Sequence, residues 1–456
     1  MKDRSDLDTK TINHDLLDFP LHWPLWFFGG ATLLLVFIGL GIITAGFLIM
    51  VGVGVMGIDR PAMWAFLITN FVFWVGISHA GVMISAILRL VHAEWRRPVT
   101  RAAEVLTVFA LATAATFPFL HTGRQWRTMY WAFPYDFWRG VWPDVRSPLI
   151  WDPSAIFTYL TGSTLFLYAA LLPDLAVARE HAQGWARKFY SVLSLGYRGT
   201  LRQWRLQALA GILLSALILP VFVSVHSIVS WDFAVSLVPG WHSTVFAPYF
   251  VAGAVFSGVS AVATIMAAMR YLFKLEKYIT PDHFDAIGRL LIPVGGGWLY
   301  FWWMDFYFGV YDRAPQEVLM QYERTFVYPY NWLTAVFLLA GFFIPASLLL
   351  FRRVRRNITA MFWLTLLVNV GMWLERFIII VPALTFKNAF TFSWTEFTPR
   401  WADWLMTLWA FGLVLLGVLV FAKIFPIIPL YDIKEGQTLK AEVQIGRVKV
   451  PGAVRD

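Results

Sequence analysis

The 456-residue chain contains no cysteine. Structural disulfides, iron–sulfur clusters and covalently attached c-type haem all need that residue. Any such centre working with this chain must be carried by another polypeptide. Charge is scarce too: 14% of residues are Asp, Glu, Lys or Arg and 59% are hydrophobic, whereas a soluble domain carries about 25% charge. That composition excludes a water-soluble enzyme. The formal net charge of +9 does not indicate nucleic-acid binding, because cationic loops in a membrane chain set its orientation. The paired histidines of a membrane cytochrome b are also missing. His79 and His92 could stack along one helix, but no second span offers such a pair, which argues against haem on this chain.

What the chain does have is a succession of apolar runs, each near the twenty residues that cross a hydrocarbon core of about 30 Å. Ten are expected, near residues 27–56, 62–91, 99–120, 153–178, 206–231, 248–273, 287–308, 332–351, 358–381 and 401–425. They predict an all-α integral membrane protein. Its parts would be a polar tail (1–24), a first span (25–58), two weakly similar four-helix units (59–231 and 232–383, spans two to five and six to nine), an outer loop with the last span (384–426) and a polar tail with some strand character (427–456). Arginine and lysine crowd alternate connections, as at Arg96, Arg97 and Arg101 and at Arg352 to Arg356, while residues 232–248 hold none. The positive-inside rule then puts both termini in the cytoplasm. The basic stretch 179–205, with Trp185, Phe189, Tyr190 and Leu193, suits a helix lying in the interface.

One connection is unlike the rest. Residues 117–155 combine His121, Arg124, Arg127, Asp136, Asp144, Arg146 and Asp152 with many aromatics and prolines. Loops this long are functional or disordered, and disordered segments are poor in aromatics, so a structured outer cap is expected over residues 121–152. His121 ends one helix where Asp152 begins the next, so both can face one pocket. Asp152 before Pro153 equally fits a plain helix N-cap. A neutral imidazole beside a carboxylate is suited to accept a proton from a bound hydroxyl. Within the spans, ionisable groups are costly and mark candidate function: His79, Glu104, Asp174, His226, Asp305, Glu375 and Arg376 form a graded series through the membrane, densest at the outer edge, where His121, Asp152 and Asp232 also lie. Helix packing for His79 and His226, an ion pair between neighbouring helices for Glu375 and Arg376, and an inner-edge anchor for Asp174 are the competing structural roles.

Several of these stretches together resemble the NrfD/polysulfide-reductase membrane subunits. They are Ser78-His79-Ala80-Gly81, Ile84 to Arg89, Arg101-Ala102-Ala103-Glu104, Phe117-Pro118, His121-Thr122-Gly123-Arg124, Tyr130-Trp131, Trp142-Pro143, Arg146 to Leu149, Trp151-Asp152, Thr158-Tyr159-Leu160 and Pro173 to Ala176. With ten spans the chain looks most like the larger, ActC-type subunit of bacterial alternative complex III. That resemblance implies a subunit of the bacterial inner membrane that oxidises menaquinol near the periplasmic face and releases or translocates protons. Its electrons would pass to an iron–sulfur subunit and then to c-type cytochrome subunits, beside a second NrfD-type membrane subunit and lipids. His121 and Asp152 fall on the family's quinol-pocket positions, and Arg124, Trp126 and Tyr130 would shape the pocket. The alternatives are the membrane subunit of a polysulfide- or sulfur-reductase-type complex, and a secondary transporter, which Pro220 and Gly295-Gly296-Gly297 keep open.

Overall fold

The computed structural model describes residues 8–58, 63–121, 123, 125–127, 146–385, 397–438, 442–445 and 448–451. Among them nine helices are long and apolar enough to cross a membrane: α2 (Leu25–Val51), α3 (Ala65–Leu90), the joined pair α4 (Thr100–Ala114) and α5 (Phe117–His121), α6 (Pro148–His181), α8 (Leu201–Ala234), α9 (Phe246–Leu272), α12 (Tyr330–Leu349), α13 (Ile358–Thr385) and α14 (Trp401–Ile424). The remaining expected span is present as a 31-residue helix, α10 (Pro281–Tyr311). At 1.5 Å per residue it is about 46 Å long. Its glycine run and its Trp and Tyr residues leave it less apolar than the other nine.

Burial separates centre from rim. In α3 and α9, 81% and 78% of the most apolar window is buried, against 17% in α2 and 28% in α8. α3 and α9 pack on each other; α4 and α8 border α3, α6 bridges α4 and α8, while α10 and α13 border α9 and α12 packs on α13. α14 lies against α2 and α4. Without a hydrophobic drive between helices in lipid, close approach depends on small residues. At Gly81 in α3, an added Cβ would come within 1.9 Å of the Ala103 carbonyl and 2.1 Å of Thr107 Oγ1. Gly81→Val should therefore force α3 from α4 and abolish monodisperse protein in size-exclusion chromatography. Gly46→Ala, which meets nothing within 4 Å, should leave the profile unchanged.

Local signals explain several boundaries. α8 starts with a reciprocal cap, Gln203 N donating to Thr200 Oγ1 and Thr200 N to Gln203 Oε1. α6 starts at Ser147-Pro148, one turn before the expected boundary, because proline suits the first helical position. Asp152 is therefore inside the helix and is not its N-cap.

The tails are more ordered than their polarity implied. α1 (Thr9–Leu21) buries Ile12, Leu16 and Leu17 and packs on α14 and on α15 (Leu430–Thr438). It is pinned by Lys423 Nζ, which donates to the carbonyls of Phe19 and His22. Helical spacing of three apolar residues within a charged stretch made this helix. The basic connection holds the short helix α7 (Gly184–Leu193), and α11 (Pro315–Phe326) follows α10. Strands β1 (Glu442–Ile445) and β2 (Val448–Pro451) pair antiparallel.

Candidate functional site

His121 ends α5 against the rings of Trp64 and Phe71, with centroids 6.0 and 6.3 Å away. Its Nδ1 is buried and has no hydrogen-bond partner among the described residues. Asp152, in the second turn of α6, is buried, and the partner it finds is Asp232 near the end of α8. Trp151 and Trp231 meet one residue earlier on each helix, 6.2 Å apart. Two carboxyl groups side by side can hydrogen-bond each other only if one of them carries a proton. Oδ1 of each carboxyl has no partner among the described residues. His121, packed on α3, and the Asp152–Asp232 pair, between α6 and α8, thus lie at the same end of the helices with unfilled hydrogen-bond capacity among the described residues. Trp126 is 68% exposed; Arg124 and Tyr130, with most of the expected cap, lie outside the described residues.

A second group is deeper. The His79 and His226 rings, from α3 and α8, are fully buried with centroids 4.6 Å apart. Tyr159 of α6 packs 4.8 Å from His79 and donates to the Ser78 carbonyl at 3.0 Å. His79 Nε2 and both His226 ring nitrogens lack a well-formed hydrogen bond, with the Phe250 backbone alongside. The Phe250 ring lies 5.8 Å from His226, and the Arg376 guanidinium stacks on it at 4.6 Å. Glu375 pairs with Arg376 at 3.2 Å and accepts from Trp298 Nε1 at 3.1 Å. Since Glu375 and Arg376 are neighbours on α13, the expected bridge between helices is an ion pair within one helix, completed by α9 and α10. A narrow cleft runs on from Tyr249 and Glu375 to Asp305, which Arg324 of α11 holds at 2.6 Å.

The third group is at the opposite end from His121. Asp174 takes a hydrogen bond from Arg101 at 3.0 Å and from the backbone nitrogens of Leu430 and Tyr431 at 3.2 and 3.0 Å. Glu104 accepts from Ser85. Beside them a cavity of about 300 Å³ is lined by Arg89, Arg96, Arg101, Glu104, Trp204 and Asp432, among others. α15 closes it through Arg96–Asp432 at 3.3 Å, Arg97–Glu435 at 2.6 Å and Tyr431 stacked on Trp204 at 4.2 Å. Tyr159 and Arg324 carry no expected chemical role from the sequence, Asp232 only that of an outer-edge acid, and Arg101 only that of an orienting cation. Arg324 sits on an amphipathic helix outside the apolar runs, and nothing in the linear sequence ties it to Asp305. Among the described residues no group of three or more His, Cys, Asp and Glu side chains is placed to hold a metal.

Residues 54–388 match the family model described as polysulphide reductase, NrfD. A curated relative from Halobacterium salinarum, named as a dimethyl sulfoxide reductase membrane subunit, is 26% identical over 265 residues, covering 58% of this chain and 55% of that protein. The chain thus spans about half the length of that relative. The family match takes in most of the chain, including α3 to α13 with His79, His121, Asp152 and His226, and this multi-pass membrane protein belongs to the NrfD family.

Proposed function

We propose that this chain is the quinol-binding membrane subunit of a multi-subunit quinol:electron-acceptor oxidoreductase of the alternative complex III type. It oxidises menaquinol near the periplasmic face of a bacterial inner membrane, with both termini cytoplasmic. The observation that carries this is the Asp152–Asp232 carboxyl pair at the same end as His121, whose Nδ1 has no partner among the described residues. A quinol hydroxyl donates its proton to His121, and the carboxyl pair, with one proton between two acids, accepts the other. Arg124, Trp126 and Tyr130 complete the pocket from the cap. Electrons leave to an iron–sulfur subunit and c-type cytochromes on partner chains, beside a second NrfD-type subunit.

The helix contacts fit two four-helix units, α3-α4-α6-α8 and α9-α10-α12-α13, meeting at α3 and α9. Proton movement would use the buried groups at that junction. His79, His226, Arg376 and Glu375 form its middle, Asp305 its outer end, and Glu104 and Asp174 its inner end beside the cavity. A Glu375→Gln complex that still oxidises quinol should release fewer protons per electron; unchanged stoichiometry would remove Glu375 from the path.

The name of the Halobacterium relative favours a second possibility, a reductase-type complex with the same quinol site and another electron acceptor. Purifying the complex from its native membrane and adding menaquinol separates the two. Co-purifying iron–sulfur and haem subunits that become reduced support the first proposal. A redox partner without haem favours the second. A chain that purifies alone, with no redox partner, overturns both and raises the transporter alternative.

A further inference from the structure

Between residues 181 and 231 the chain has no Asp or Glu, yet it carries Arg187, Lys188, Arg198, Arg202 and Arg205. All five are exposed, and none forms an ion pair within the described residues. Several other cations at the same end are neutralised by acidic partners, whereas Arg352, Arg353 and Lys274 are likewise exposed without an ion pair among the described residues. Arg96, Arg97 and Arg101 pair with Asp432, Glu94, Glu435 and Asp174, Arg355 and Arg289 with Asp285, and Arg356 with Asp282. Orientation alone does not require this contrast, since paired and unpaired cations alike satisfy the positive-inside bias.

The five cations sit on a rigid support. α7 is fixed by Tyr190, whose hydroxyl donates to the Ile424 carbonyl at 2.7 Å, and by Tyr168, which donates to the Leu193 carbonyl at 2.6 Å. Arg179 ties the following turn through Ser194 Oγ and the Tyr197 carbonyl, both at 3.2 Å. Between the cations, Trp185 (79% exposed), Val192, Leu195 and Leu201 (81%) face outward. They continue into the exposed Leu206, Leu209 and Leu213 of α8, one of the apolar helices with most of its surface outside the protein. A water-facing docking surface for a soluble protein would not run without a break into a lipid-facing helix. An interfacial helix flanked by cations would.

We infer that α7 and the start of α8 form a binding surface for the headgroups of anionic phospholipids in the leaflet at this end. The cations contact phosphate, and Trp185, Val192, Leu195 and Leu201 lie at the acyl boundary. Each juxtamembrane cation contributes roughly fivefold to attraction by anionic lipid, so several together should produce a clear preference.

The test uses the full-length chain in a non-ionic detergent, titrated with phosphatidylglycerol or phosphatidylcholine of the same acyl chains and followed by native mass spectrometry. Wild type should bind phosphatidylglycerol at least about tenfold more tightly, and salt should reduce the difference. Changing Arg187, Lys188, Arg198, Arg202 and Arg205 to Gln should abolish the preference, Lys at all five should keep it, and Arg356→Gln, whose guanidinium is already paired with Asp282, should leave it unchanged. If the Gln variant does not fold, wild type and the Lys variant still decide. Equal binding of the two lipids by wild type overturns the inference, as does a preference that survives in a folded Gln variant. A photocrosslinker at position 185 in native membranes should capture phospholipid; capture of a polypeptide instead also overturns it.

Discussion

Asp152→Asn, in a complex that assembles normally, is expected to lose quinol-dependent electron delivery by about 10²–10⁴-fold, the range for removing a positioned proton acceptor. Asparagine keeps the volume and can still hydrogen-bond Asp232, but it cannot take a proton. His121→Ala should have an effect of the same order, because the imidazole is the other acceptor in the proposed mechanism. Asp232→Asn is the informative companion. If the two acids work as one proton-sharing unit, it should approach the Asp152→Asn loss, and the double substitution should cost little more than either alone, since residues acting as a unit are strongly non-additive. If Asp232 only positions Asp152, its loss will be small. The measurement is the initial rate of menaquinol-dependent reduction in the purified complex, with assembly checked by gel. Full activity in assembled Asp152→Asn would place the quinol site elsewhere.

Arg101→Ala should have the largest effect on stability. Arg101 is 1% exposed, and its guanidinium serves Asp174, the Ala170 carbonyl at 2.9 Å and the Pro426 carbonyl at 3.2 Å. Removing one partner of a buried ion pair leaves an uncompensated charge and costs about 3–5 kcal/mol. Asp174 also holds the backbone of Leu430 and Tyr431, so the damage should spread to the C-terminal segment. The thermal transition of the detergent-solubilised protein should fall by many degrees, and limited proteolysis should cut after α14. Arg101→Met combined with Asp174→Asn should recover part of the loss, because neither buried charge then remains unpaired. A double variant no more stable than the single one would show that the pair's charge is not what matters.

The membrane character and most helix positions were legible in the sequence. Apolar runs of fixed length and the absence of cysteine are properties of the chain as written, and no folding is needed to count them. The family pattern around His79, His121 and Asp152 was legible for the same reason, as an ordered set of short motifs. The partners were not. Asp152 meets Asp232 across eighty positions of sequence, His79 meets His226 across a still longer interval, and Arg324 reaches Asp305 from a helix with no apolar run to announce it. The small extra helices α1 and α15 were also hidden, since their few apolar residues sit among charges. Hydropathy along one helix establishes that the helix crosses the membrane and says nothing about its rotation. Which side chains face each other depends on that rotation, and it is set by close packing of small residues such as Gly81 against neighbouring helices. Only the tertiary structure decides which buried acids and histidines become pairs.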